Sequence, residues 1–252
     1  MKTDWDYTAL ADAYLKRPDY SSAAVAALLA RAGTNGEAVC DIGAGTGNLT
    51  RLLAESERAV VAVEPNAAMR RIGMARTEML RTVRWVEATG EATGQADGVF
   101  DLVTFGSSFN VCDRPRALRE SARILRPRGW LACLWNHRCL DDPLQRRIEA
   151  IIGDHVPAFA HGARRDDQRP VIAASGRFDP AECIEAAFTH VQSIADCVEA
   201  WRSHATLARQ AGDRFPEIVG LIERTLRMHA SEPLRIPYTT VITMARLARD
   251  CG

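Results

Sequence analysis

Residues 39–50 read VCDIGAGTGNLT. A short apolar run ends in an acid, Asp41, and gives way to Gly43, Gly45 and Gly47, after which helical sequence begins. A strand that turns sharply into a helix exposes backbone N–H groups, and glycine lets a ligand come close to that backbone. The spacing then selects among nucleotide-like ligands. A dinucleotide fingerprint is G-x-G-x-x-G, and here Asn48 stands where its last glycine would fall. A P-loop would end in Gly-Lys-Ser/Thr, and this loop does not. Asp41 would repel a pyrophosphate, and it suits a ligand with a cationic end such as an α-ammonium.

The next apolar run ends in Glu64, 23 residues beyond Asp41, close to the offset of about 20 at which an acid accepts hydrogen bonds from ribose hydroxyls in nucleotide-binding βαβ units. An ammonium near the loop and an unphosphorylated ribose beside the second strand describe S-adenosylmethionine better than a dinucleotide.

Outward from the loop, residues 37–136 alternate short apolar runs (AVCDI, AVVAVE, TVRWVEA, FDLVTF, GWLACLWN) with helical patterns, which argues for a parallel doubly wound sheet. The runs are almost continuously apolar because such strands are buried on both faces. Upstream, SSAAVAALLARAG reads as a helix capped near Ser21 or Ser22 and closed by Gly33, preceded by an aromatic-rich segment broken at Pro18. Downstream, DDPLQRRIEAIIGDHV is an amphipathic helix, HGARRDDQRP a charged loop, and CIEAAFTHVQSI and RIPYTTVITMARL two further strands with helical sequence between them. The expectation is one α/β domain over residues 1–252: a helical lid over 1–36, a cofactor-binding core over 37–138, and a C-terminal part over 139–252 with a helical cap and the last two strands.

VCDIGAGTGNLT resembles the first motif of the class I S-adenosylmethionine-dependent methyltransferases, VAVEPNAAM their second and VEATGEATG their third. FDLVTFGSSFNVCDRPRALRESARILRPRGWLACLWNHR is similar to the fourth strand, its helix and the fifth strand of the small-molecule subgroup that includes ubiquinone-type and trans-aconitate-type methyltransferases; LRIPYTTVITMAR looks like the last strand. The resemblance implies a seven-stranded, mostly parallel Rossmann-like sheet. It also implies cofactor contacts from Asp41, Gly43, Ala44, Gly45, Thr46 and Gly47, with Glu64 on the ribose and Pro65 and Met69 flanking the adenine. Thr89 and Gly90, with Glu91 next, fall at the adenine edge, and Gly106 ends the fourth strand. The N-terminal segment would be a lid over the cofactor, where Arg17 either pairs with the methionine carboxylate or lies on the surface. The subgroup often carries a His-Trp pair after the fourth strand; here Phe109 is followed by Asn110.

On the acceptor side, ligands of a doubly wound sheet sit beyond the carboxyl ends of the strands. That position nominates Ser107, Ser108, Phe109 and Asn110 after the fourth strand and Trp135, Asn136 and His137 after the fifth. Trp5, Tyr7, Tyr14 and Tyr20 in the lid and Trp201, Arg202 and His204 in the late helices are further candidates, each with helix packing as its alternative. His137 and His204 are the candidate bases. Lys+Arg and Asp+Glu both number 32, so no net charge steers the protein toward nucleic acid or an anionic membrane. The 7 cysteines are widely spaced with no CxxC pair, and no metal-ligand spacing occurs, so reduced thiols, no metal and a cytoplasmic setting are expected. The expected partner is a small molecule and the expected state a monomer or homodimer. The expected reaction is N-methylation of a heteroaromatic secondary metabolite by in-line displacement, leaving S-adenosylhomocysteine. Carboxyl or phenolic O-methylation is the alternative within the class. An NAD-dependent oxidoreductase and an inactive cofactor-binding protein are the alternatives outside it.

Overall fold

The computed structural model describes Thr8, residues 11–33 and residues 38–249. Trp5 and Tyr7 lie outside them. In chain order the elements are α1 (Ala11–Tyr14), α2 (Ser22–Ala32), β1 (Ala38–Ile42), α3 (Asn48–Ala54), β2 (Ala59–Val63), α4 (Ala67–Arg76), β3 (Val83–Val86), β4 (Phe100–Gly106), α5 (Arg114–Ile124) and β5 (Leu125–Arg138). There follow α6 (Pro143–His155), α7 (Arg169–Ala174), β6 (Glu182–Gln192), α8 (Ile194–Arg202), α9 (Ala205–Ala211), α10 (Phe215–His229) and β7 (Leu234–Arg246).

The seven strands form one sheet in the order β3-β2-β1-β4-β5-β7-β6. β1 to β5 run parallel, and β7 is antiparallel to both β5 and β6. The strand order reverses between β1 and β4, so the loops leaving those two strands diverge and open a crevice above the sheet. Sequence alternation explains how the sheet is buried. In β5, Leu131, Cys133 and Trp135 join the apolar layer with Phe105, Phe109 and Leu118, while Trp130, Ala132 and Leu134 join the opposite layer with Leu28 of α2 and Leu49 and Leu53 of α3. β6, at the sheet edge, instead alternates half-buried and exposed residues along its whole length.

A third apolar cluster forms the cap. Ile148 and Ile152 of α6, Val198 and Trp201 of α8, and Ile218, Ile222 and Leu226 of α10 pack together on Leu234, Ile236 and Tyr238 at the start of β7. The expected helical insertion between two late strands is therefore present, as α8 to α10 between β6 and β7. The charged segment read as a loop, residues 161–170, runs at its last two residues into a helix the sequence reading did not separate, α7, which buries Ile172 fully.

Candidate active site

The crevice is a cavity of about 240 Å³ running from the loop after β1 to the cap. Its floor is the glycine loop. Gly43 and Ala44 donate to the Val63 carbonyl at 2.8 and 3.0 Å, tying the loop to the end of β2. A Cβ on Gly43 would stand 2.4 Å from that of Ser108, because the loops after β1 and β4 touch there. Gly45 has φ +57° and its Cβ position meets Met69 Cε at 3.8 Å and the Gly43 carbonyl at 4.0 Å, ordinary contacts with no clash over its backbone. Gly47 does not line the cavity: it caps α3 and packs on Gly73 and Trp85, which corrects its expected place against the cofactor.

Two acids lie at this end. Glu64 is 7% exposed; its Oε2 accepts from Gly45 N–H and its Oε1 from Asn66 N–H, both at 2.8 Å. Each oxygen keeps a lone pair beyond the amide it holds, so the group can still take the two donors of a ribose diol. Burial raises its pKa, against the lowering effect of those amides and of Arg70. Asp41 has no exposed surface; Thr50 Oγ1 donates to its Oδ2 at 2.6 Å and Thr104 Oγ1 to its Oδ1 at 2.9 Å. Its pKa is pushed up to about 6, mainly by burial, with the Glu64 charge adding to the rise and the two hydroxyls opposing it. Asp41 lies at the cavity floor with both carboxylate oxygens held by hydroxyls, where its charge would favour the cationic end of a ligand.

Pro65, Met69, Thr89, Gly90 and Glu91 line the wall beside these acids, as do Ala44, Thr46 and Gly106. The acids, the uncrowded backbone at Gly45 and this wall match an adenosine bearing a cationic amino-acid tail, and these residues would hold it. Beyond β4, Ser107 adopts φ +57°, a conformation that is strained for a side chain with a Cβ and that collects at functional sites. Its hydroxyl shares a 2.9 Å hydrogen bond with Tyr20. Ser108 lines the cavity, but its hydroxyl donates to the Ile42 carbonyl.

Several acceptor-side candidates lie elsewhere. Phe109 is fully buried and packs edge-on against Phe105. Trp135 points into the same core by strand alternation, and its indole N–H donates to Asn110 Oδ1 at 3.2 Å, so both serve to brace the loop after β4. Arg202 pairs with Glu199 on the solvent face of α8. None of the four lines the cavity. Asn136 does, yet its amide is taken up in holding the lid: Nδ2 donates to the Pro18 and Asp19 carbonyls and Oδ1 accepts from Thr240 Oγ1 at 2.6 Å. Arg17 also holds the lid, donating to Ser203 Oγ at 3.0 Å and to its carbonyl at 2.6 Å while stacking on Tyr14, so its guanidinium ties the lid to the cap.

The two candidate bases differ. His137 Nε2 lies 2.9 Å from the Arg164 carbonyl, which can only accept; the ring therefore carries its proton on Nε2 and keeps the Nδ1 lone pair. Burial lowers its pKa, so the ring is neutral near pH 7. His204 uses Nδ1 to accept from Leu207 N–H as the cap of α9 and stacks on Trp201, so its lone pair is occupied. Its pKa lies well below the usual value because of burial and three nearby arginines. Arg138, Glu149, His161, Arg164 and Tyr238 also line this half. Sequence reasoning missed all five. The Arg-Arg pair in HGARRDDQRP and the arginine ending WNHR were the available signals, both concealed by ordinary surface composition.

The fold and this cavity define a Rossmann-like α/β protein built around S-adenosylmethionine. A methyltransferase-domain family matches residues 40–133. The ubiquinone/menaquinone biosynthesis C-methyltransferase UbiE of Klebsiella pneumoniae is 31% identical over 154 residues, 58% of this chain and 61% of that protein. The match therefore spans about three fifths of that relative's length. An uncharacterized methyltransferase of Mycobacterium tuberculosis is 31% identical over 239 residues, covering 92% of this chain and 91% of the relative. Among solved structures, the YcgJ protein of Bacillus subtilis superposes with a TM-score of 0.57 at 16% identity, covering 90% of this chain and 99% of that one. A geranyl diphosphate C-methyltransferase of Streptomyces coelicolor, solved with S-adenosyl-L-homocysteine, superposes at 0.51 with 18% identity over 90% of this chain and 76% of that one. The chain belongs to the class I S-adenosylmethionine-dependent methyltransferases.

Among the described residues, no group of three or more His, Cys, Asp or Glu side chains is arranged to hold a metal ion, and no helix is long and apolar enough to cross a membrane.

Proposed function

We propose that the chain methylates a small molecule held under the cap, and that the acceptor atom is a ring nitrogen of a heteroaromatic compound. The observation that supports the first part is one continuous cavity joining the acid-bearing glycine loop to the cap. S-adenosylmethionine, when bound, supplies an electrophilic methyl group on a sulfonium. The chain's own work is alignment and exclusion of water: the lid at Arg17 to Tyr20 and the cap at Trp201 and His204 close over the opening between the two halves. Holding two reactants in near-attack contact contributes up to about 7–11 kcal/mol in well-oriented systems.

A ring nitrogen attacks with its own lone pair and needs no prior deprotonation, which suits a cavity where His204 is engaged and His161 faces Glu149 at 3.2 Å. Phenolic O-methylation is the second reading, favoured by the Nδ1 lone pair of His137. The test is incubation with S-adenosylmethionine and a panel of N-heteroaromatic, phenolic and carboxylic compounds, with product mass read for one added methyl group. With a nitrogen acceptor, His137→Gln should change kcat/KM by less than about tenfold. A phenolic acceptor predicts a loss of about 10²–10⁴-fold and a rate that rises with pH as the ring deprotonates. Methylation of no compound, together with no binding of S-adenosylhomocysteine, would overturn the methyl-transfer reading.

A further inference from the structure

Four arginines line the capped half of the cavity: Arg165 lies in the field of Glu149, while Arg17 from the lid, Arg138 at the end of β5 and Arg164 from the turn Gly162–Arg164 form a second group. Among the described residues no carboxylate forms an ion pair with Arg17, Arg138 or Arg164. Two of the N–H donors of Arg17 are taken up by Ser203, and its guanidinium lies over the Tyr14 ring. Arg138 lies 4.0 Å over the Trp201 ring and donates to the Tyr238 hydroxyl at 2.9 Å. The Arg164 side chain is half-buried at the cavity wall, and its guanidinium has neither an acceptor nor a ring beneath it among the described residues.

The cost of that arrangement is visible in Arg164 itself. Burial, with repulsion from Arg17 and Arg138, pulls its pKa down to about 10, which still leaves it cationic at neutral pH. A partly desolvated cation without a counter-charge is costly, so its place at a cavity wall beside two further guanidinium groups points to a ligand that supplies the charge. Close by, the buried indole N–H of Trp201 also lacks an acceptor. Carboxylates do line the cavity, but Asp41, Glu64 and Glu91 lie at the glycine-loop end, and Glu149 already faces His161.

We infer that the capped half of the cavity recognises an oxyanion of the acceptor, a carboxylate or a phosphate, with Arg164 as its principal donor and Arg138 and the Trp201 indole N–H beside it. This rests on the methyltransferase reading of the cavity. Guanidinium presents paired N–H donors that match the two oxygens of such a group, and the contact is strongest where water is excluded. An acceptor anchored by its anion at Arg164 would direct its far end toward the glycine loop.

The cofactor carries a carboxylate of its own, so the experiment separates the two sources. Wild type, Arg164→Gln and Arg164→Lys are titrated calorimetrically with S-adenosylhomocysteine, with 5′-methylthioadenosine, which lacks the amino-acid tail, and with benzoate, inorganic phosphate and benzamide. The small probes are run both with and without saturating S-adenosylhomocysteine. The expected result is that benzoate or phosphate binds wild type at least about tenfold more tightly than neutral benzamide, the scale of one charge-assisted hydrogen bond. Arg164→Gln should abolish that preference, Arg164→Lys should keep part of it, and both should bind S-adenosylhomocysteine within about twofold of wild type. Arg164→Gln should also melt no lower than wild type without anions, which excludes misfolding as the cause.

Equal binding of the anions and benzamide by wild type, or anion binding unaffected by Arg164→Gln, would overturn the inference. So would a loss of S-adenosylhomocysteine affinity with methylthioadenosine unaffected, which would give Arg164 to the cofactor. Failure of wild type to bind S-adenosylhomocysteine would instead strike the underlying methyltransferase reading, and the anion titrations without it would still report on Arg164.

Discussion

Asp41 carries its charge where water does not reach, and the two threonine hydroxyls do not fully offset the loss of hydration. Its folded pKa of about 6 lies above the ordinary value of 3.8, so the folded state binds the proton more tightly than the unfolded one. The stability tied to that proton is complete below about pH 4 and is lost as pH climbs through 6, a fall of about 3 kcal/mol. Asp41→Asn should flatten that decline in chemical denaturation between pH 4 and 8, leave the apo protein at least as stable at pH 7.5, and weaken S-adenosylhomocysteine about tenfold by removing the field under the ammonium. At Gly45 the effect should be the reverse. Gly45→Val puts a branched side chain over the loop at φ +57°, with strain of about 1–2 kcal/mol. Circular dichroism should stay native while S-adenosylhomocysteine binding falls below detection; unchanged affinity would remove the loop from the cofactor site. Both residues were legible because the motif that exposes them is contiguous in sequence. Arg164 was not, since one of two adjacent arginines in a charged stretch acquires meaning only when Arg17 and Arg138 are folded against it.

At the level of elements, α4 and β3 show how a wall of the site is built. Asn66 caps α4, its side chain accepting from Ala68 and Met69 N–H at 3.0 Å, while its own N–H holds Glu64; the start of the helix and the orientation of the acid are set together. Further along, Gly73 leaves room for the Trp85 indole, which a Cβ would approach to 2.1 Å. Trp85 in turn donates to Thr77 Oγ1 at 2.9 Å at the helix end. Gly73→Ala should therefore cost about 1–3 kcal/mol by overpacking, read as a lower denaturation midpoint with an altered near-ultraviolet dichroism signal. Element parity could have sorted more candidates from sequence alone. Trp135 shares the parity of Leu131 and Cys133, which marks it as core, while Asn136 takes the opposite face. Helix α7 escaped notice because Ile172 is its only buried residue and charged neighbours dominate the segment.

For the molecule as a whole, lid and cap are fastened across the cavity by Arg17 on Ser203, with the more exposed Lys16–Asp196 pair at 2.8 Å contributing little. Arg17→Gln should accelerate release of S-adenosylhomocysteine about tenfold in stopped-flow displacement, the worth of one or two hydrogen bonds, while the rate of binding changes less. An unchanged release rate would show that the lid does not gate the site. The sheet and its cofactor half could be read from alternating runs, whereas the acceptor half draws on segments from Tyr14 to Tyr238 that no local pattern connects. β7 joins the two regions mechanically. From Tyr238 to Met244 it is held on both sides by β5 and β6, but over Leu234–Ile236 it pairs with β6 alone, and there Leu234 and Ile236 carry the cap. Pro237 stands at the junction and has no N–H to give the ladder. The cap thus rests on a two-stranded extension of the sheet, the start of β7 on the end of β6, with α6 tied in from β5, so that lifting the cap would bend this extension while the glycine loop stays still.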